Sequence, residues 1–435
     1  MTTRTLRHRS LAVSTGIVVA ALALAGCSGG GSGDADGPVT ITMWQNSADS
    51  DAIKAVYAAW EEKTGNTIEA ISIPAAGFED ATLTRWATGE RPDVLEWHPV
   101  RGFLASLNPE ENLLPLDGMP YIEQSGELYD SVGSWDDHVY AAILNTPGLF
   151  GMYYNKAALE AAGVEPPTTF NDLVEVCGAI KAKTPGVAPI YQAGADMWPL
   201  TALPFNLWGG SFDFATKVAH NEAKLTDEGS PFTAALSKFK EVQDAGCFND
   251  DATTGTVSGG FAAVTAGEAA IVFQASDQLS SLQAAAGGPD QADALIGWGS
   301  VGTDEPYANY QPGPNGTYML PKTGDAAREA AAKDFIEFAT GEYYQTYIDQ
   351  SGVNPVIKAP GIEAPTDISE LQQAINTFYN DSPQQPLFNA DIAGFGNFVQ
   401  LMPQLLAGQL TPQTLADQLQ SIIAQASTAA GVEGW

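Results

Sequence analysis

The sequence predicts an α/β protein of two domains, each a sheet flanked by helices. Three observations carry this reading. At 435 residues the chain exceeds what one ordinary hydrophobic core holds together. Residues 38–100 alternate strand with helix. Two apolar runs, one ending at Asn145 and one from Leu149 to Tyr154, meet at Pro147-Gly148, as when a chain leaves one sheet for another.

Taken in order, VTITMW sets Val39, Ile41 and Met43 on one side of a strand. Residues 50–63 carry Ile53, Val56, Tyr57 and Trp60 at helical spacing, with Gly65 as the stop. Ile68 to Ile73 is a second strand. Phe78, Leu83 and Trp86 mark a second helix ended at Gly89, and Pro92-Asp93 leads into the strand DVLEW. This β-α-β-α-β order implies a parallel sheet, and ligands of such sheets sit beyond the carboxyl ends of the strands. Three loops are therefore placed for function: Trp44 to Asn46, Pro74 to Gly77, and Glu96 to His98. Further helices are expected over 171–183, 199–208 (stopped by Gly209-Gly210), 231–245, 326–339, 369–380 and 411–426. A strand is expected over 294–301.

Composition narrows the function. The formal charge is −33, and without residues 1–26 there are 16 basic against 52 acidic residues. Such a surface repels phosphate backbones, so no nucleic-acid partner is expected. The N-terminus has a basic segment, a short apolar run and Leu24-Ala25-Gly26-Cys27, the shape of an export signal over residues 1–26. Residues 27–37 are a Gly/Ser-rich flexible tether. The two remaining cysteines, Cys177 and Cys247, read in that compartment as a disulfide sooner than as a metal site or nucleophile.

No cofactor and no metal are expected. Only His98, His138 and His220 remain after the export signal, and no pair has zinc-ligand spacing. Residues 248–256, FNDDATTGT, lack the oxygen spacing and closing Glu of a calcium loop. There is no Walker-type P-loop and no G-x-S-x-G elbow. Gly297-Trp298-Gly299-Ser300-Val301-Gly302 fits G-x-G-x-x-G, but Thr-Asp-Glu-Pro follows where a helix must open.

The order YYNK (153–156), AAG (161–163), PPTTF (166–170) closely resembles the interdomain crossing of the sugar-type, lipid-anchored solute-binding proteins of bacterial ABC importers. That family is similar to the maltose- and multiple-sugar-binding proteins. Gly89, Pro92, Asp93 and Val94, the AGEAAIVF stretch (266–273) and Gly352-Val353-Asn354-Pro355 match it too. The resemblance implies a periplasmic-binding-protein-like fold of type II with about three crossings, near 146, 302 and 351. Domain 1 is then 38–145 with 303–350, and domain 2 is 146–302 with 351–435. It also implies a lipidated Cys27, a monomeric receptor outside the cytoplasm, and delivery of a carbohydrate, an oligosaccharide, to a permease served by a separate ATPase.

Sugars offer apolar C–H faces ringed by hydroxyls, so their sites combine flat aromatics with fixed polar side chains. Trp44 with Gln45, Glu96 with Trp97, and Asp196 with Trp198 make such pairs at strand ends. Trp298, and Asn145 with Asn315 at the crossings, are further candidates. Sugar-binding relatives often carry an aromatic just after the AAIVF-type strand. Here Gln274-Ala275-Ser276-Asp277 stands instead, and Asp277 suits a more polar subsite or an amino group. The alternatives are the same fold with a polyol, glycerol phosphodiester or amino compound, or a surface glycosidase working through two carboxylates.

Overall fold

In a computed structural model, residues 37–435 are described apart from 76, 209–210, 312, 383, 387–391, 430 and 433. The export segment, Cys27, the tether up to residue 36 and the Gly209-Gly210 helix stop lie outside the described residues. The described strands are β1 (Thr40–Asn46), β2 (Thr67–Ile73), β3 (Val94–Glu96), β4 (Ser134–Trp135), β5 (His138–Val139), β6 (Ala141–Ile143), β7 (Gly148–Asn155), β8 (Ala188–Tyr191), β9 (Ala269–Ala275), β10 (Ile296–Gly299), β11 (Ala308–Gln311), β12 (Thr317–Met319) and β13 (Gln384–Pro386).

The first sheet has the order β2-β1-β3-β12-β6. β1 runs parallel to β2 and β3, while β12 is antiparallel to β3 and β6. The helix Asp51–Thr64 lies where its apolar spacing puts it, capped by the Ser50 hydroxyl and ended by Gly65 at φ 74°. Tyr57 and Trp60 from this helix meet Phe335 of the helix Ala326–Thr340, with ring centroids 5.9 and 5.8 Å apart. The Pro92-Asp93 signature has a structural cause. Asp93 is buried at the head of β3, accepting from the Thr42 backbone at 2.7 Å and pairing with Arg328 at 2.6 Å.

The second sheet has the order β13-β11-β7-β9-β8, with β10 also on β7. Both faces of β7 are covered. Phe150 and Met152 enter one core with the helices Phe170–Lys183 and Pro231–Asp244. Leu149 and Tyr153 enter another with Leu279, Trp298 and Ile375. A strand buried on both faces reads as a continuous apolar run, as GLFGMYY does. Cys177, in the first of these helices, and Cys247, just beyond the end of the second, form the expected disulfide, with Cα atoms 5.7 Å apart.

Two boundaries differ from the expectation. Residues 303–311, expected in the first domain, contain β11, which pairs with β7 and β13 of the second sheet. Asn309 locks it there, donating to Phe205 O at 2.6 Å and to the Asn206 side chain at 3.2 Å. Of the residues beyond 350, expected in the second domain, Val356 and Ile357 pack in the first core, their N–H groups on the Tyr344 hydroxyl at 3.0 and 3.3 Å. The described chain therefore passes between the sheets over 144–147, 313–316 and 358–370. The G-x-G-x-x-G segment lies in β10 and the loop after it, followed by β11 rather than a helix. A side chain at Gly302 would stand 2.1 Å from Glu305 O.

Candidate functional site: the cavity between the two sheets

The passages between the sheets are laced to one another. Leu144 N–H donates to Gly316 O at 3.0 Å, and the Asn145 amide to Asn315 O at 2.8 Å. Tyr347 donates its hydroxyl to the Asn145 carbonyl oxygen. Thr146 reaches Asn354 O at 2.7 Å, and Asn354 in turn donates to Asn376 O at 3.2 Å. Beside this lacing opens a cavity of about 470 Å³, walled by elements of both sheets. Ser50 and Tyr347 come from the first, Ser276, Gln278 and Gln372 from the second, and Thr146 and Asn315 from the passages.

Behind Asn315 sits a buried pair of acids. The Asp49 carboxylate accepts from Asn315 Nδ2 at 2.8 Å and from the Tyr57 hydroxyl at 3.1 Å. The Glu96 carboxyl accepts from Asn46 N at 2.8 Å, Gly316 N at 3.0 Å and Tyr57 at 3.2 Å. The two carboxyls share the Tyr57 hydroxyl as a donor, which brings their charges close together. Burial first, and then the Asp49 charge, pushes Glu96 well above the usual carboxylate range. Burial also raises Asp49, against the lowering effect of its Asn315 and Tyr57 donors. The pair anchors the second passage to β1 and β3.

The structure redistributes the residues expected at the site. Asn145, Asp277 and Asn315 line the cavity. Glu96 is corrected to an internal anchor, sealed from solvent by the bonds above. Of the four expected tryptophans, Trp44, Trp97 and Trp298 are buried among core residues. Trp44 is 3% exposed, with the Arg85 guanidinium 5.7 Å above its ring. Trp97 is wholly buried, its Nε1–H on Phe103 O at 3.0 Å. Trp298 lies 4.9 Å from the Tyr153 ring, over Gly151, where any side chain would strike it. The cause is shared: each strand is covered on both faces at that point, so its end is interior. Gln45 and Gln274 are buried as well, and both amide atoms of Gln274 lack partners among the described residues. Asp196 accepts from Val257 N at 2.6 Å at the start of the helix Val257–Ala266. Trp198 is half-buried, edge-on to Phe150 at 6.1 Å, and does not line the cavity.

Sequence reasoning missed Thr146, Ser276, Gln278, Gln372 and Asn376. The last two lie one turn apart on the helix Glu370–Asp381 and bond each other at 2.9 Å. In sequence they are one polar stretch of an amphipathic helix, with nothing to say which exposed face meets a cavity.

Comparison with known proteins fits this architecture. A sequence profile described as bacterial extracellular solute-binding protein matches residues 55–371. The chain belongs to this family. Its members bind solutes outside the cytoplasm. The melibiose/raffinose/stachyose-binding protein MelE of Bacillus subtilis is 27% identical over 54% of this chain and 55% of its own length. A multiple sugar-binding protein of Streptococcus mutans is 26% identical over 37% of this chain and 38% of its own. The chain thus matches about half of these curated relatives or less. Among solved structures, a chitin oligosaccharide binding protein superposes with a TM-score of 0.76 at 21% identity, over 90% of this chain and 99% of that one. At that identity the likeness speaks for the fold. Among the described residues no helix is long and apolar enough to cross a membrane.

Proposed function

We propose that this member of the solute-binding family captures a carbohydrate, an oligosaccharide, in the cavity between its sheets and hands it to an ABC permease. The observation that carries this is the make-up of the cavity. Side-chain amides and hydroxyls from both sheets converge on one space of about 470 Å³, within the roughly 300–1,000 Å³ usual for small-ligand sites. Sugar hydroxyls donate and accept at once, and Asn, Gln, Ser and Thr answer both roles. The sugar-binding names of the relatives point the same way. A ligand touching both walls stabilises the closed arrangement, and the permease then reads that population shift.

No step of bond breaking belongs to this reading. A glycosidase needs two carboxyls about 5–10 Å apart astride the sugar. Asp49 and Glu96 are both buried and share the Tyr57 hydroxyl, so that phenol stands where a glycosidic bond would have to lie. In the proposed setting the protein is a monomer held at the membrane by lipid on Cys27. Mass spectrometry of the N-terminal peptide checks the anchor: an unmodified Cys27 in protein taken from membranes contradicts it.

A thermal-shift screen against mono-, di- and oligosaccharides, polyols and amino compounds tests the substrate. Ligand at about 100 times its dissociation constant adds roughly 2.7 kcal/mol, a shift of a few degrees. A selective response to one saccharide series supports the reading. A response confined to another class keeps the fold and overturns the substrate.

A further inference from the structure

The cavity offers negative charge and no counter-charge. Asp277, Asp51, Asp349 and Asp367 line it, and no Lys, Arg or His is among its described lining residues. Asp277 follows β9 in the turn Ser276–Gln278, where its carboxylate takes the Gln278 amide at 3.2 Å. It makes no ion pair with any described residue, and the nearby His98 ring is hydrogen-bonded to Glu79 at 2.8 Å. Nor does it cap the helix Leu279–Ala286, whose first turn has no side-chain cap bond. The carboxylate meets solvent yet is ringed by protein, and that confinement holds its carboxyl above its ordinary value.

Space is kept open in front of it. A Cβ on Gly148 would stand 3.2 Å from Asp277 Oδ2, and one on Gly313 would have that same oxygen as its neighbour, at 3.8 Å. Neither glycine has the positive φ that would itself demand glycine. Two passages therefore present bare backbone to one carboxylate oxygen. A hydroxyl there gains an ordinary hydrogen bond. A protonated amine gains a charge-assisted bond about twice as strong.

We propose that Asp277 makes the cavity selective for carbohydrates bearing a protonated amine, amino sugars or aminocyclitols, over their neutral counterparts. This rests on the carbohydrate reading above. The amine sits against Asp277 Oδ2, between the Gly148 and Gly313 backbones, and the hydroxyls of the same ligand engage Asn145, Gln278 and Asn315.

The test is a titration of the protein and of its Asp277→Asn variant with matched oligomers of glucosamine, N-acetylglucosamine and glucose, and with raffinose. Thermal unfolding of the variant shows that it is folded. The expected result is an amine-bearing series bound at least about tenfold more tightly than every neutral one, with that ratio falling to about one in Asp277→Asn. Neutral saccharides bound as tightly as amines, or an amine preference that survives in Asp277→Asn, overturn the inference and leave the carbohydrate reading intact. Binding of no saccharide from either group removes that reading and this inference with it.

Discussion

The side-chain amide of Asn145 donates to the main-chain carbonyl of Asn315 across 2.8 Å, tying the first passage between the sheets to the second. The carbonyl oxygen of the same Asn145 takes the Tyr347 hydroxyl, and the Asn315 amide reaches back to Asp49. Two asparagines thus belong to the passages and to the cavity wall together. In the proposed closure, motion of one sheet against the other works through groups that also face the ligand.

Asn145→Ala removes both bonds and leaves the Tyr347 hydroxyl without its acceptor. The expected loss is about 1–3 kcal/mol of stability by urea unfolding, with ligand affinity lowered about tenfold by titration calorimetry. Unchanged affinity beside the stability loss would assign Asn145 to the hinge alone.

Trp44→Ala and Trp97→Ala should each cost about 3–5 kcal/mol, because each ring is buried in the first core. Urea unfolding of the free protein measures this directly. A near-zero cost with lost ligand binding would return them to the site.

The acid pair gives a pH dependence of known sign. Both Asp49 and Glu96 are raised in the folded protein above their ordinary 3.8 and 4.5. Groups raised on folding stabilise fully below their unfolded values and lose that stabilisation as pH rises through the folded ones. The pair therefore weakens the protein progressively from the ordinary carboxylate range upward, toward the raised value of Glu96. Glu79 and Asp172, which are lowered, act oppositely and at lower pH, their stabilisation being lost as the solution is acidified. Glu96→Gln mimics the protonated pair, so its stability relative to wild type should be greater at pH 8 than at pH 5. Parallel pH profiles for the two proteins would show that no proton is shared there.

Reduction of Cys177–Cys247 reopens a loop closed over a sequence separation of 70. The expected cost is about 4 kcal/mol in the chain-entropy model. Thermal unfolding with and without reductant measures it, and Cys247→Ala should match the reduced protein.

The parts of the fold legible in the sequence are those where local chemistry is decisive. Ser50 and Gly65 bracket their helix, Thr169 and Asp172 form a capping box, and Pro147-Gly148 marks a passage. β11 was hidden because prolines 306, 312 and 314 surround it, and what holds it is Asn309 on a helix some hundred residues earlier in the chain. The tryptophans misled for a related reason. A period of two separates faces only when one face is wet, and at Val94–Glu96 every side chain is buried. Asn145, Asp277 and Asn315 reached the cavity because passages and strand-end turns have little else to pack against.

The measurement that most directly tests capture between the sheets is hydrogen–deuterium exchange with and without the saccharide giving the largest thermal shift. Protection should arise together in residues 145–149, 276–278 and 313–316, with further slowing near 372–376, since a bridging ligand must order both walls and the passages. Protection confined to one sheet, or to a surface away from these segments, would contradict capture in this cavity.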